Sequence, residues 1–182
     1  MFVKVCGITT KEQIDWAIEL GYSAIGFVTY KKSPRYVEEK NAHKLIEYAK
    51  TNIKTIVVSK SFDDVKNIES QADYIQIYEM IEHDHLIYAG TSLPENIKYN
   101  YFLYDASLGS GEFHEMPLWL LSIKEKLILS GGLTPLNVRG LIGQFSPFGV
   151  DVSSGVEKTR GIKDYTLMKE FIQEVHNAHE RD

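Results

Sequence analysis

A single cysteine, Cys6, is all the thiol the chain has. One thiol excludes an internal disulfide, and with it the stapled scaffolds of small secreted domains, so a reducing compartment, the cytoplasm, is expected. No run approaches the ~18 apolar residues that a membrane-spanning helix needs. The first residues, Met-Phe-Val-Lys-Val-Cys-Gly, put no basic region ahead of a long apolar stretch, and no secretory signal is expected. Cationic excess is also missing: 20 Lys and Arg stand against 25 Asp and Glu, a net charge of −5. A mildly acidic surface has nothing to offer a polyanion, which argues against nucleic acid and anionic membranes as partners. Proline is scarce and no Pro/Gly/Ser-rich linker divides the chain, so its 182 residues are read as one domain around one core.

What is present is an alternation of short β-rich runs with longer helical periods. Strands are expected at residues 2–6, 24–28, 53–58, 73–77, 101–105, 126–130 and 148–152, and a weaker one at 85–89. Helices are expected at 11–20, 38–50, 62–70 behind Ser61, 134–142 with Pro135 at its first position, and 163–179. Gly21 stands where a helix ends. Strand, loop and helix in strict order mean parallel strands with helical crossovers, an α/β fold. Both an open doubly wound sheet and a closed (β/α)8 barrel fit. A dinucleotide fold would show a Gly-rich fingerprint after its first strand, and here that turn reads Cys-Gly-Ile-Thr. Polar and small residues collect instead at the ends of several strands, as barrel enzymes arrange them, and the barrel is favoured.

Those strand ends hold the candidate chemistry. "LSGGLTPLNV" and "VDVSSGVE" are loops of small residues in consecutive units, whose backbone N–H groups and glycines suit a phosphate; ordinary tight turns are the plainer reading. Cys6 closes the first strand and is either a small packed hydrophobe or a thiol at a pocket rim, where a helix N-terminus or a cation would bring its pKa toward neutrality. Asp105 closes another strand and either caps a turn or faces Cys6 across a barrel mouth, as an acid facing a base. Arg35, in "KKSPRY", could grip a carboxylate through two hydrogen bonds or lie in a solvated basic turn. "EHDH" at residues 82–85 and the pair His176 and His179 lack a convincing ligand set, so no metal is expected.

Taken together, "KVCGIT", "AIGFVTYKKSPRYV", "LILSGGLTPLNV", "DVSSGVE" and "GIKD" resemble phosphoribosylanthranilate isomerase of tryptophan biosynthesis. The resemblance implies a TIM barrel and an Amadori rearrangement of N-(5-phosphoribosyl)anthranilate that uses no cofactor. It also implies roles: Cys6 as base, Asp105 as acid, Arg35 on the anthranilate carboxylate. The substrate would further be held by Gly7, Gln76, Ser130, Gly131, Gly132, Asp151, Ser153, Ser154 and Gly155, and by Gly109, Ser110 and Gly111 in a glycine-rich loop. Another phosphosugar isomerase or epimerase, or a silent barrel that only binds a phosphorylated ligand, are the alternatives. The chain departs from the family at "QIYE", residues 76–79, where Tyr78 stands in place of a histidine and a glycine is lost. The stretch from Gln76 to Asp105 is too short for a helix, a strand and a helix. A shortened barrel is therefore expected, with the crossover after strand four reduced to a turn over residues 79–84 and a short helix after Pro94. The flank left uncovered between strands three and five would suit a homodimer contact.

Overall fold

The computed structural model describes residues 1–107 and 112–179. Eight parallel strands close into a barrel in chain order. They are β1 (Phe2–Cys6), β2 (Ala24–Val28), β3 (Lys54–Val58), β4 (Tyr74–Ile77), β5 (Leu86–Gly90), β6 (Tyr101–Asp105), β7 (Leu127–Ser130) and β8 (Gly149–Val152). Helices α1 (Lys11–Glu19), α2 (Glu39–Ala49), α3 (Val138–Phe145) and α4 (Tyr165–His179) lie outside, and a hairpin of β9 (Glu157–Thr159) and β10 (Ile162–Lys163) follows β8.

Period-two alternation decides which side chains see the barrel interior. From β1, Val3 and Val5 point outward into the layer beneath the helices, while Lys4 and Cys6 point inward. The outer layer is the larger apolar cluster, with Ile14 and Ala17 of α1, Leu45 and Ile46 of α2, and Phe171 and Ile172 of α4. Inside, Ile56, Ile87, Leu103 and Ile128 fill the middle, and Phe2, Tyr101 and Phe148 stack at the end away from the strand C-termini, Tyr101 and Phe148 with centroids 4.4 Å apart. Helix α1 begins where the sequence places it, because the Thr10 hydroxyl accepts from Gln13 N at 3.3 Å and caps the first turn.

Several expected helices are altered. Residues 62–70 form no α-helix but two 3-10 turns, Phe62–Asp64 and Glu69–Gln71. Ser61 does not cap a helix there; its hydroxyl and that of Ser59 donate to the Asp64 carboxylate at 3.1 and 2.8 Å, a local network that competes with the helical ladder. Helix α3 starts at Val138 rather than residue 134, because Asn137 accepts from Thr134 N at 2.8 Å and donates to Gly132 O at 3.0 Å, which holds Pro135 in the loop. Lys163 belongs to β10, so α4 starts two residues later than expected. No helix follows Pro94; Asn96 has φ 57°, which interrupts the segment.

The middle is short in the way its length demands. Residues 78–85 join β4 to β5 without a helix, β5 is in place, and the barrel closes. The flank is not bare, however. Ile75, Ile77, Leu86 and Tyr88 are all buried, in one cluster with Val65, Ile68, Ile81 and Ile97. Loop side chains and the 3-10 turns cover what a helix would have covered, which removes the reason for a dimer contact there.

Candidate active site

A cavity of about 230 Å³ opens at the C-terminal ends of the strands. Of the residues expected at a site, Cys6, Arg35, Gln76, Asp105, Ser130, Gly131, Gly132, Asp151, Ser153 and Ser154 line it. Gly7 and Gly155 stand behind its wall. A Cβ on Gly7, at φ +83°, would lie 2.4 Å from Arg35 Cδ, and one on Gly155 would lie 1.9 Å from Leu133 O. The first glycine makes room for Arg35 and the second lets the loops after β7 and β8 pack together. Gly109, Ser110 and Gly111 lie outside the described residues.

Asp105, at the end of β6, is 5% exposed and held from both sides. Its Oδ1 accepts from Ser107 N at 3.1 Å and from Ser107 Oγ at 2.7 Å, while its Oδ2 accepts from the Tyr78 hydroxyl at 2.6 Å. Gln76, two residues earlier on the same inward face as Tyr78, has a buried Oε1 with no protein partner among the described residues. A buried amide oxygen facing a cavity needs a donor from whatever occupies it.

Beneath Cys6 lies charge that an apolar barrel would not tolerate unpaired. Lys4 is fully buried, and its Nζ meets Asp151 Oδ1 at 2.9 Å, across the β1–β8 register that sets the two side by side. Ser130 Oγ donates to the other Asp151 oxygen at 3.3 Å. Burial opposes the Lys4 charge, but Asp151 and Cys6 together hold its ammonium above lysine's ordinary value. Burial pushes the Cys6 thiol up, with Lys4 and Lys163 pulling it down and Asp151 adding to the rise. The cations that would bring the thiol toward neutrality are thus present, and desolvation outweighs them.

A second network joins the loop after β2 to the hairpin after β8. Arg35 Nε and Nη2 donate to the two Glu157 oxygens at 2.6 and 2.8 Å. The two-bonded grip expected for a ligand carboxylate is therefore made on Glu157, and a ligand would meet the outer Nη edge. Lys163 Nζ donates to Glu157 Oε1 at 2.8 Å and to Ser153 O at 3.0 Å, and Gly161 N donates to Glu157 Oε2 at 3.0 Å. Burial disfavours the Glu157 charge, yet Arg35, Lys163 and the Gly161 N–H hold its carboxyl at about 2. Burial holds Lys163 below lysine's ordinary value.

Sequence reasoning missed the roles of Lys4, Glu157, Lys163 and Gly26. A lysine two positions before the cysteine in an apolar strand was the signal for Lys4, since i and i+2 share a face. Gly26, inside the run "AIGFV", is needed because a Cβ there would lie 3.0 Å from Cys6 Sγ and 3.2 Å from Lys4 Cε. Lys32, Lys60 and Arg160 also line the cavity and make its mouth basic.

A model of the family described as N-(5'-phosphoribosyl)anthranilate (PRA) isomerase matches residues 3–174. An N-(5'-phosphoribosyl)anthranilate isomerase of Marinomonas sp. (strain MWYL1) is 32% identical, covering 93% of this chain and 95% of that one. One of Rhizobium leguminosarum bv. trifolii is 34% identical over 97% of this chain and 94% of its own. Among solved structures, TrpF from Jonesia denitrificans superposes with a TM-score of 0.80 at 27% identity over the whole of both chains. The isomerase from Thermotoga maritima, solved in complex with reduced 1-(o-carboxyphenylamino)-1-deoxyribulose 5-phosphate, gives 0.72 at 26%, covering 97% of this chain and 99% of that one.

Proposed function

The chain belongs to the N-(5'-phosphoribosyl)anthranilate isomerase family, and on that premise we propose how its own residues carry the reaction. The activity is the isomerisation of N-(5'-phosphoribosyl)anthranilate in tryptophan biosynthesis. In our reading Asp105 protonates the furanose ring oxygen, the bond from that oxygen to C1′ breaks, and an iminium forms. Cys6, as thiolate, removes the proton at C2′ and leaves an enolamine. Tautomerisation, in which C1′ gains a proton and the C2′ hydroxyl loses one, gives the ketone. Lys4 and Lys163 pull Cys6 toward the thiolate this step needs, while burial and Asp151 oppose it.

The observation that carries this reading is that Cys6 and Asp105, from β1 and β6, face one cavity. The outer Nη edge of Arg35 takes the anthranilate carboxylate, and Gln76 donates to or accepts from the substrate. The phosphate sits over Gly131-Gly132 and Ser153-Ser154, with Gly155 closing the loop behind. Fixing both ends of the substrate places the reacting carbons between acid and base, an arrangement that supplies ~7–11 kcal/mol in favourable cases. The barrel is a single domain and a shortened form of the family's, its fourth crossover reduced to residues 78–85. A homodimer through that flank has lost its support, since the flank is already covered. Purified protein mixed with N-(5-phosphoribosyl)anthranilate should discharge the anthranilate fluorescence at a rate proportional to enzyme. An unchanged signal at micromolar enzyme would overturn the reading.

A further inference from the structure

We propose that Tyr78 is a positioning residue for the acid step: its hydroxyl fixes the Asp105 oxygen that delivers the proton and stabilises the carboxylate left behind. The inference rests on the reading of Asp105 as the acid. Asp105 Oδ1 already accepts two hydrogen bonds from Ser107, at 3.1 and 2.7 Å. A proton held ready for transfer must then sit on Oδ2, the oxygen that Tyr78 reaches at 2.6 Å. With Oδ2 protonated, the phenol oxygen can accept or its hydrogen can turn into the cavity, which Tyr78 lines. Once the proton has gone to the ring oxygen, the phenol donates to the new carboxylate, the arrangement seen here. Burial and the Asp105 charge push the phenol's own pKa up, so it stays a neutral donor throughout.

The short crossover explains why a residue at this place can be trusted with alignment. Tyr78 is the first residue after β4, on the inward face it shares with Tyr74 and Gln76. Its N–H donates to Lys60 O at 3.3 Å, and the next residue, Glu79, accepts from Phe62 N at 2.7 Å. The loop is thus tied on both sides of the chain turn to the segment after β3. A phenol is long enough to reach from the end of β4, past β5, to the end of β6.

The test is Tyr78→Phe, which keeps the ring and removes the hydroxyl. Its kcat should fall about 10- to 100-fold, the loss expected when a hydrogen bond to a charged group is removed. KM, and the affinity for reduced 1-(o-carboxyphenylamino)-1-deoxyribulose 5-phosphate, should stay within about twofold, since the substrate's anchors are elsewhere. An unchanged kcat, or an equal loss of affinity and kcat, would overturn the proposal and make Tyr78 a wall of the cavity. Should the Phe variant fold poorly, fluorinated tyrosine at position 78 keeps the shape and strengthens the donor. The proposal then requires kcat at or above the unmodified enzyme's, and a fall would overturn it. Asp105→Asn separates this inference from its premise. If that variant keeps full activity, Asp105 is not the acid and the premise fails. If it is inactive while Tyr78→Phe keeps full kcat, the premise stands and Tyr78 alone is refuted.

Discussion

At the scale of single residues, Lys4, Asp151, Arg35, Glu157, Lys163 and Asp105 each have a protein partner before any ligand arrives. Arg35 shows the consequence. Its Nε edge is spent on Glu157, so it is oriented in advance and would lose little freedom on gripping the carboxylate proposed for its outer edge. Arg35→Ala should therefore weaken the anthranilate-bearing substrate by about 1.5–3 kcal/mol while leaving ribose 5-phosphate and inorganic phosphate nearly untouched. Inhibition constants for the three ligands, compared between the two proteins, check this. An equal loss for all would move Arg35 to the phosphate. Cys6 carries the opposite lesson: no sequence pattern announces that its burial outweighs two nearby ammonium groups, because that balance depends on which side chains the barrel encloses.

At the scale of elements, the hairpin β9–β10 is fastened by the Glu157 network. A carboxyl held at about 2, against 4.5 for the free group, stabilises the folded chain, offset in part by the burial of Lys163. The folded-state value is depressed, so this stability is present above 4.5 and is lost as the pH falls toward 2. Melting temperatures of the protein and of Glu157→Gln should differ most at neutral pH and converge across that window; a constant difference would contradict the assignment. The motifs "VDVSSGVE" and "GIKD" were legible as family marks, but the pairing of Glu157 with Lys163 and Arg35 was not, since it ties the hairpin after β8 to the distant loop after β2. The strands and α1 were legible because alternation and a threonine cap are local signals. The 62–70 helix was misread for the converse reason: Asp64 serves Ser59 and Ser61, a choice that helical spacing does not record. At β4–β5 the counting of residues succeeded where pattern was weak, because chain length bounds what a crossover can hold.

At the scale of the whole molecule, a chain of net charge −5 presents a cavity mouth lined by Lys32, Lys60 and Arg160. An anionic substrate is drawn to such a mouth against the average field of the surface. Raising ionic strength from about 0.01 to 0.5 M should lower kcat/KM several-fold, because the screening length shrinks from ~30 Å to a few ångström. The triple variant Lys32→Ala/Lys60→Ala/Arg160→Ala should flatten that dependence, and an undiminished slope would place the steering elsewhere. In the proposed reaction a thiol on β1 and a carboxylic acid on β6 move the protons. The most direct measurement is the turnover of N-(5-phosphoribosyl)anthranilate by Cys6→Ser, followed by anthranilate fluorescence beside titration with reduced 1-(o-carboxyphenylamino)-1-deoxyribulose 5-phosphate. A hydroxyl is nearly isosteric with the thiol but far too weak an acid to supply the base, so binding should survive while kcat falls by about 10²–10⁴-fold or more. Full turnover by the serine variant would contradict the account.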